Sequence, residues 1–398
     1  MRKIFICTLC VAVTAGCTEK SLAQPAAWNH VWVEQLHKPQ DAFFDEKNAY
    51  PIEFYGSEND QIIIPVRVNG DDLWALVDTG APSTTIDINW AKSRKIPLEN
   101  ESTASAIDGA KYKQWVIPIQ SIDIGGFHQK GGGLIAANVP TIINPYDGKK
   151  VSIILGMDFI SNFSLSINFD DRRLSIKASG SCPPIGYAIP LKSDNLYTKA
   201  VLDISLFGQT FNGVVDTGRN TSLSVYKHSI KIPYNLQITD LAQSTAAGVI
   251  VEDYASFTGL KLFQFKIDNP TLVLLQNSRD GGGVEGAVGL ELLDNYNIFM
   301  DIKRGIMVLS KRSSPAKPLH KTNMGIQGDI TNNGWVVAHV MKNSPAAAVG
   351  LKDGDQICAV DGNKLVEGSD IPRGPDGSTM HMDMCDGRKI DLVRRTFY

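Results

Sequence analysis

The sequence is short of cysteine: six occur in 398 residues, too few for a disulfide-built scaffold. It lacks charge of one sign, since 39 Lys and Arg against 42 Asp and Glu give a net charge of −3. Without a basic excess little is available to neutralise phosphates, which argues against a nucleic-acid partner. Beyond the N-terminus no run of about 18 apolar residues occurs, so the body does not read as a membrane span. The histidines, at 29, 37, 128, 228, 320, 339 and 381, form no His-x-x-x-His pair, and no metal site is expected. His339, between Val336 and Met341, reads as a strand residue. Gly-x-Ser-x-Gly and phosphate-loop motifs are missing, and Gly131–Gly133 and Gly281–Gly283 read as mobile loops. What is present is a chain with 43% hydrophobic and 20% charged residues, enough to build a core. Its 35 glycines and 19 prolines, with few long helical periodicities, indicate a β-rich, turn-rich protein. At about 100–200 residues per domain the length suggests two or three domains.

At the N-terminus Arg2 and Lys3 precede an apolar run from Ile4 to Ala15, which fits a secretory signal peptide. Thr14-Ala15-Gly16-Cys17 resembles a bacterial lipobox, in which Cys17 is lipidated and becomes the mature N-terminus. Ser21-Leu22-Ala23 offers the alternative, ordinary cleavage after residue 23, although Glu19 and Lys20 sit awkwardly there. A lipid on Cys17 tethers a soluble body without embedding it. The expected location is therefore the bacterial periplasm, anchored to the outer membrane as a lipoprotein. Loss of residues 1–17 takes the net charge to −5 and removes Cys7 and Cys10. Cys358 and Cys385 are then candidates to pair in an oxidising compartment, which spacing alone does not establish.

The body repeats itself. Ile62 to Val68 runs into the turn Asn69-Gly70, and Trp74 to Val77 ends at Asp78-Thr79-Gly80. Val201 to Leu206 runs into Phe207-Gly208, and Gly213-Val214-Val215 ends at Asp216-Thr217-Gly218. In both copies the turn glycine precedes the aspartate by eight residues, as a strand–turn–strand hairpin requires. A second shared block follows, Ile153 to Gly156 and Ala287 to Gly289, its glycine 78 residues after Asp78 and 73 after Asp216. A short helix-like stretch comes next, Met157–Phe163 or Leu290–Tyr296, and then a strand pair. The expected organisation is two β-rich halves, 50–180 and 185–311, a linker at 312–321 and a third unit at 322–398. Trp28 to Tyr50 carries no motif and reads as a tether or a lead-in to the first strand.

Two Asp-Thr-Gly turns, each closing an apolar strand and each followed by an apolar block ending in glycine, resemble the aspartic proteases. The likeness is to bacterial retropepsin-like proteins with two fused lobes, over roughly residues 50–311. It implies a mainly β fold in which two acid-protease β-barrel lobes form a pseudo-dimer, so that one monomer holds both aspartates. Asp78 and Asp216 would then share one proton. The charged carboxylate acts as general base on a water, and the protonated one hydrogen-bonds the scissile carbonyl. By the same resemblance Thr79 and Thr217 brace the turns across the lobe interface. Gly80 and Gly218 admit close backbone approach, and Gly156 and Gly289 let the block behind each turn pack closely. Flap hairpins are expected at Ile107-Asp108-Gly109 and at Gly248-Val249. Neither metal nor organic cofactor is implied. Arg219 departs from the pattern, since the family has a small or hydroxyl residue there, as at Ala81. A cation at this position favours ionised carboxylate and raises the working pH, impairs the second turn, or points to solvent.

Residues 334–362 contain Ser344-Pro345, a helix N-cap with a first-turn proline, and Gly350 as a helix stop. Asp353-Gly354-Asp355 precedes a strand at Gln356–Val360, and Asp361-Gly362 marks a hairpin turn. This string resembles a PDZ domain of the bacterial protease-associated type, a small β/α unit. The resemblance makes Met324-Gly325-Ile326 the loop that holds a peptide carboxylate. The expected protein is an exported aspartic endopeptidase acting on peptides or unfolded proteins, with a PDZ domain that binds protein C-termini. The competing expectation is a catalytically weak peptide-binding scaffold acting through the PDZ domain.

Overall fold

Two hairpin turns start the two halves in the same way. Asn69 and Gly70 have φ of 51° and 87°, and Phe207 and Gly208 have φ of 51° and 74°. Consecutive positive φ values give the tight turn whose twist suits a two-residue hairpin. Phe207 is an uncommon residue in this region, and its ring packs edge-on against Phe257 at 5.2 Å. The structure, a computed structural model, describes residues 36–56, 61–105, 111–193, 198–245, 248–257, 260–262, 265–267, 270–276, 284–314 and 321–398. The signal segment with Cys17, the first flap residues Ile107, Asp108 and Gly109, and Gly281–Gly283 lie outside the described residues.

In the first half seven strands run in the order Ile63–Val68, Asp71–Val77, Ile153–Leu155, Thr85–Asp87, Gly133–Ala137, Lys111–Pro118 and Glu99–Ser105. In the second half the order is Val201–Leu206, Gln209–Asp216, Gly286–Gly289, Leu223–Tyr226, Thr271–Leu275, Gly248–Ser256 and Ile238–Thr245. Every pairing direction matches. The strand that ends before or at the aspartate is parallel to the strand that ends before or at the glycine, Leu76 opposite Ile154 and Val214 opposite Ala287. The first half adds Ser121–Ile124, Phe127–Gly131 and Pro39–Phe44 at one edge, making a ten-stranded sheet. Pro39–Phe44 realises the strand lead-in. Gly131–Gly133 is not a mobile loop: Gly131 ends one strand and Gly133 begins the next, and the Gly131 amide on Gln120 O and the Ile119 amide on Gly132 O carry the same pairing through a kink with φ of 68° and 97°.

The halves also share a sheet. Phe163–Asn168 pairs antiparallel with Tyr296–Asp301, Ser164 opposite Asp301 and Ile167 opposite Ile298. Around this pair a six-stranded sheet takes three strands from each half. One apolar core runs through both halves, including Phe159, Phe163 and Leu165 from the first and Leu290, Ile298 and Met300 from the second. Burial of these side chains, at about 25 cal/mol per Å² of apolar surface, fixes the two aspartate turns relative to each other.

The third unit has its own core, with Trp335, Val337, Ile357, Met380, Met382 and Leu392. Its strands run Ile326–Thr331, Gly334–Val340, Gln356–Val360, Thr379–Met384 and Lys389–Val393, with Asn363–Lys364 beside the third. Ser344 Oγ accepts the Ala347 amide at 3.1 Å and caps the helix Pro345–Ala348. His339 lies in the strand Gly334–Val340. Cys358 and Cys385 form a disulfide across neighbouring strands.

Candidate active site between two aspartate turns

Each Asp-Thr-Gly turn folds its aspartate back onto its own backbone. Asp78 Oδ1 accepts the amides of Gly80 at 2.8 Å and Ala81 at 3.1 Å, and Asp216 Oδ1 accepts the Gly218 amide at 3.1 Å. The turns then interlock through their threonines, both fully buried. Thr79 Oγ1 donates to Val215 O at 2.6 Å and accepts the Thr217 amide at 3.1 Å. Thr217 Oγ1 donates to Val77 O at 2.7 Å and accepts the Thr79 amide at 3.1 Å. Four bonds thus cross the interface reciprocally. A hydroxyl is what the site needs, because it donates and accepts at once.

Glycine at the third position follows from the same closeness. A Cβ on Gly80 would lie 2.5 Å from Asp216 Cγ, and one on Gly218 would lie 2.4 Å from Asp78 Cγ. Each carboxyl group therefore rests on the opposite glycine, where no other residue leaves room. Behind the turns, a Cβ on Gly156 would lie 2.5 Å from the Ser83 carbonyl carbon, and one on Gly289 would lie 2.1 Å from Thr221 O.

The two carboxyl groups lie side by side, each against the opposite turn's glycine, and Asp216 is 9% exposed. Burial pushes the Asp78 carboxyl well above the usual aspartate range, and the Asp216 charge beside it adds to the rise. The amides of Gly80 and Ala81 oppose it without cancelling it. One proton held between two carboxyl groups is the outcome such a pair favours.

Arg219 does not point to solvent. It is 8% exposed, and the charges acting on it are, in order, Asp216, Glu252, Tyr226 and Asp78. Burial lowers its pKa, yet a guanidinium stays charged in proteins. Gly248 and Val249 lie at the end of a long hairpin, Ile238–Thr245 with Gly248–Ser256, and Val249 is 71% exposed. In the first half the equivalent hairpin is Glu99–Ser105 with Lys111–Pro118.

Sequence reading missed the group behind each turn. Asp158 Oδ1 accepts Thr84 Oγ1 at 2.7 Å and the Thr84 amide at 2.8 Å. Glu291 Oε2 accepts the hydroxyls of Ser222 and Thr271. Thr84 and Ser222 each lie six residues past the aspartate, and Asp158 and Glu291 each lie two past the glycine. The ungapped repeat thus contained the signal.

The third unit docks on the second hairpin. Gln327 Oε1 accepts the Ala242 amide at 2.9 Å and Gln327 Nε2 donates to Ala242 O at 3.1 Å. Asp240 Oδ1 accepts the Lys342 amide at 2.7 Å and lies 3.1 Å from His339 Nε2. The C-terminal Phe397 and Tyr398 are buried with Met341 against Tyr226, Tyr254 and Val273. At the expected carboxylate loop, Thr322 Oγ1 accepts the amides of Met324 at 3.3 Å and Gly325 at 3.1 Å. Ile326 pairs with Val340.

These features bring two aspartate turns together beside an appended β-unit, and two stretches of the chain match known families. Residues 64–159 match the aspartyl protease family, and residues 314–370 match the PDZ domain. The chain therefore carries an aspartyl protease domain and a PDZ domain. The protease match ends at Phe159, in the first half; the second half is joined to it here by its repeated strand order. A search of curated proteins finds no match to the chain.

Proposed function

We propose that the protein is an aspartic endopeptidase in which Asp78 and Asp216 form one catalytic dyad. The observation that carries this reading is the pair of carboxyl groups, each seated on the glycine of the opposite turn. The ionised carboxylate takes a proton from a water whose oxygen attacks the scissile carbonyl carbon. The protonated carboxyl hydrogen-bonds the carbonyl oxygen as charge develops there. Collapse of the tetrahedral intermediate breaks the C–N bond, and a dyad proton passes to the leaving nitrogen. The roles exchange during the cycle, so neither aspartate is acid or base alone. Thr79 and Thr217 fix the geometry, and a single chain supplies both halves of the site.

Peptides or unfolded proteins are the expected substrates, with the hairpin ending at Gly248 and Val249 as the expected flap. The PDZ domain is the expected receptor for a protein C-terminus, which would pair with the edge strand Ile326–Thr331. A carboxylate at Met324-Gly325-Ile326 would replace Thr322 Oγ1 on two amides. Free C-terminal peptides titrated into wild type and Gly325→Trp test this, with binding expected only to wild type. Export and a lipid on Cys17 belong to the same proposal, and the Cys358–Cys385 disulfide supports an oxidising compartment. Metabolic labelling with palmitate, lost in Cys17→Ala, is the check.

The deciding experiment is a pH-resolved cleavage assay on a peptide library with wild type, Asp78→Asn and Asp216→Asn. Cleavage that survives both substitutions removes the dyad, whereas a wild type that cleaves no peptide at any pH leaves the weak-scaffold reading, which the buried cation at Arg219 favours.

A further inference from the structure

Position 219 is where the two aspartate turns stop being alike. The Ala81 amide lies 3.3 Å from Asp78 O, and its carbonyl accepts the Met157 amide at 2.9 Å. The Arg219 amide lies 3.4 Å from Asp216 O, and its carbonyl accepts the Leu290 amide at 2.7 Å. The backbones are equivalent, so the difference lies in the side chain alone: a methyl group on one side of the dyad and a guanidinium on the other. The dyad therefore has a buried cation beside it on one side only.

That guanidinium is nine-tenths buried, and its Nε and Nη2 make no hydrogen bond among the described residues. These two nitrogens form one edge of the guanidinium fork, with parallel N–H bonds spaced to meet the two oxygens of a carboxylate. Buried donors of native proteins are almost always satisfied, and an orphaned pair needs a reason. Asp216 and Glu252 flank the cation and stabilise its charge, but neither takes this edge.

We propose that Arg219 determines substrate specificity by receiving, on its free Nε–Nη2 edge, a carboxylate of the bound peptide close to the scissile bond. The inference rests on the protease reading of the cleft and names its substrate class: peptides with an anionic group near the cleaved bond. Two sources carry that chemistry, an acidic side chain or the free chain end of a short peptide. The methyl group of Ala81 offers no such partner, so the preference falls on one side of the bond.

The test uses the full chain and synthetic peptide pairs that differ in one group. One series sets Glu against Gln at each position flanking the cleaved bond, and the other sets a free C-terminal acid against its amide. Wild type is expected to cleave the carboxylate member of one pair with kcat/KM about 10–100-fold higher. Arg219→Ala brings that ratio close to one, Arg219→Lys retains part of it, and Arg219→Glu inverts it toward Lys-containing peptides. A response in the Glu/Gln series assigns the ligand to a side chain, and one in the acid/amide series assigns it to the chain end. A wild-type ratio near one overturns the proposal, and so does a ratio unchanged in Arg219→Ala. If Arg219→Ala folds poorly, Arg219→Lys supplies the comparison, since it keeps the charge without the fork, and a ratio unchanged there overturns the proposal. If wild type cleaves no peptide, the same pairs are titrated calorimetrically. Arg219-dependent preference in binding then upholds the carboxylate site while the protease reading falls, and no preference overturns both.

Discussion

The two halves close the same turn with different groups behind it. In the first, Thr84 donates to Asp158, and three extra strands extend the sheet edge. In the second, Ser222 and Thr271 donate to Glu291, a residue one methylene longer, and the hairpin beside it carries the PDZ domain. Burial pushes the Glu291 carboxyl up, although both hydroxyls pull it down. Tyr398, at the C-terminus, feels the Glu291 charge and packs 5.2 Å from the ring of Tyr254. The periphery has diverged, while the centre differs only at Ala81 against Arg219. The physical reason is reciprocity: each threonine bonds the backbone of the other turn. A change in one turn is therefore imposed on both, whereas a change behind one turn stays in its own half.

Four experiments break or sharpen this comparison. The largest effect is expected from Asp78→Asn and Asp216→Asn, each lowering kcat/KM on peptides by about 10³-fold or more. Equal losses support a shared dyad, and a loss confined to one aspartate breaks the equivalence. Next come Gly80→Ala and Gly218→Ala. Each drives a Cβ into the carboxyl group of the other half, with about a 10²-fold loss of activity expected from the displaced aspartate. The carboxyl that moves belongs to the half that was not mutated, which a structure of either variant checks directly.

Thr79→Val and Thr217→Val each leave a carbonyl and an amide of the opposite turn without a partner. Each is expected to cost about 1–3 kcal/mol in denaturant unfolding. The double variant should lose less than the sum, because both substitutions dismantle one network. The smallest effect separates the halves. Folding raises the Glu291 pKa, so the protonated form is the one the fold favours. Its contribution is present at pH below the ordinary glutamate range and is lost as pH rises through the raised folded value. Melting temperatures measured from pH 4 to 8 should fall more steeply for wild type than for Glu291→Gln, with Asp158→Asn as the control for lost hydrogen bonds. Identical slopes in wild type and Glu291→Gln would remove Glu291 as the source of the asymmetry. The same sign applies to Asp78: its proton persists above the usual aspartate range, so the upper limb of the cleavage profile should lie there too.

Much of this was legible before any coordinates. The spacing from Gly70 to Asp78 and from Gly208 to Asp216 gave two hairpins, because two-residue turns admit few residues and fix strand register. The Ser344-Pro345 cap and the strand Gln356–Val360 occur as their local chemistry requires. The Gly131–Gly133 run reads as a loop from composition, yet glycine equally permits a kink within continuous strand pairing. Arg219 was undecidable, since a long side chain reaches either solvent or the interior and its sequence neighbours do not choose between them.

By itself the sequence determined the elements that local rules govern: two aspartate-bearing hairpins, the glycine behind each, and a third unit of distinct character. Tertiary structure alone decided what those elements meet. It brought Asp78 and Asp216 together across 138 positions of chain, set Gly80 beneath one carboxyl and Gly218 beneath the other, and buried Arg219 next to them. It also wove strands of both halves into one sheet and seated the C-terminal tyrosine against the second half. Such contacts depend on sheet twist, on a core shared between distant segments and on the removal of water from charged groups, and none of these is a property of neighbouring residues.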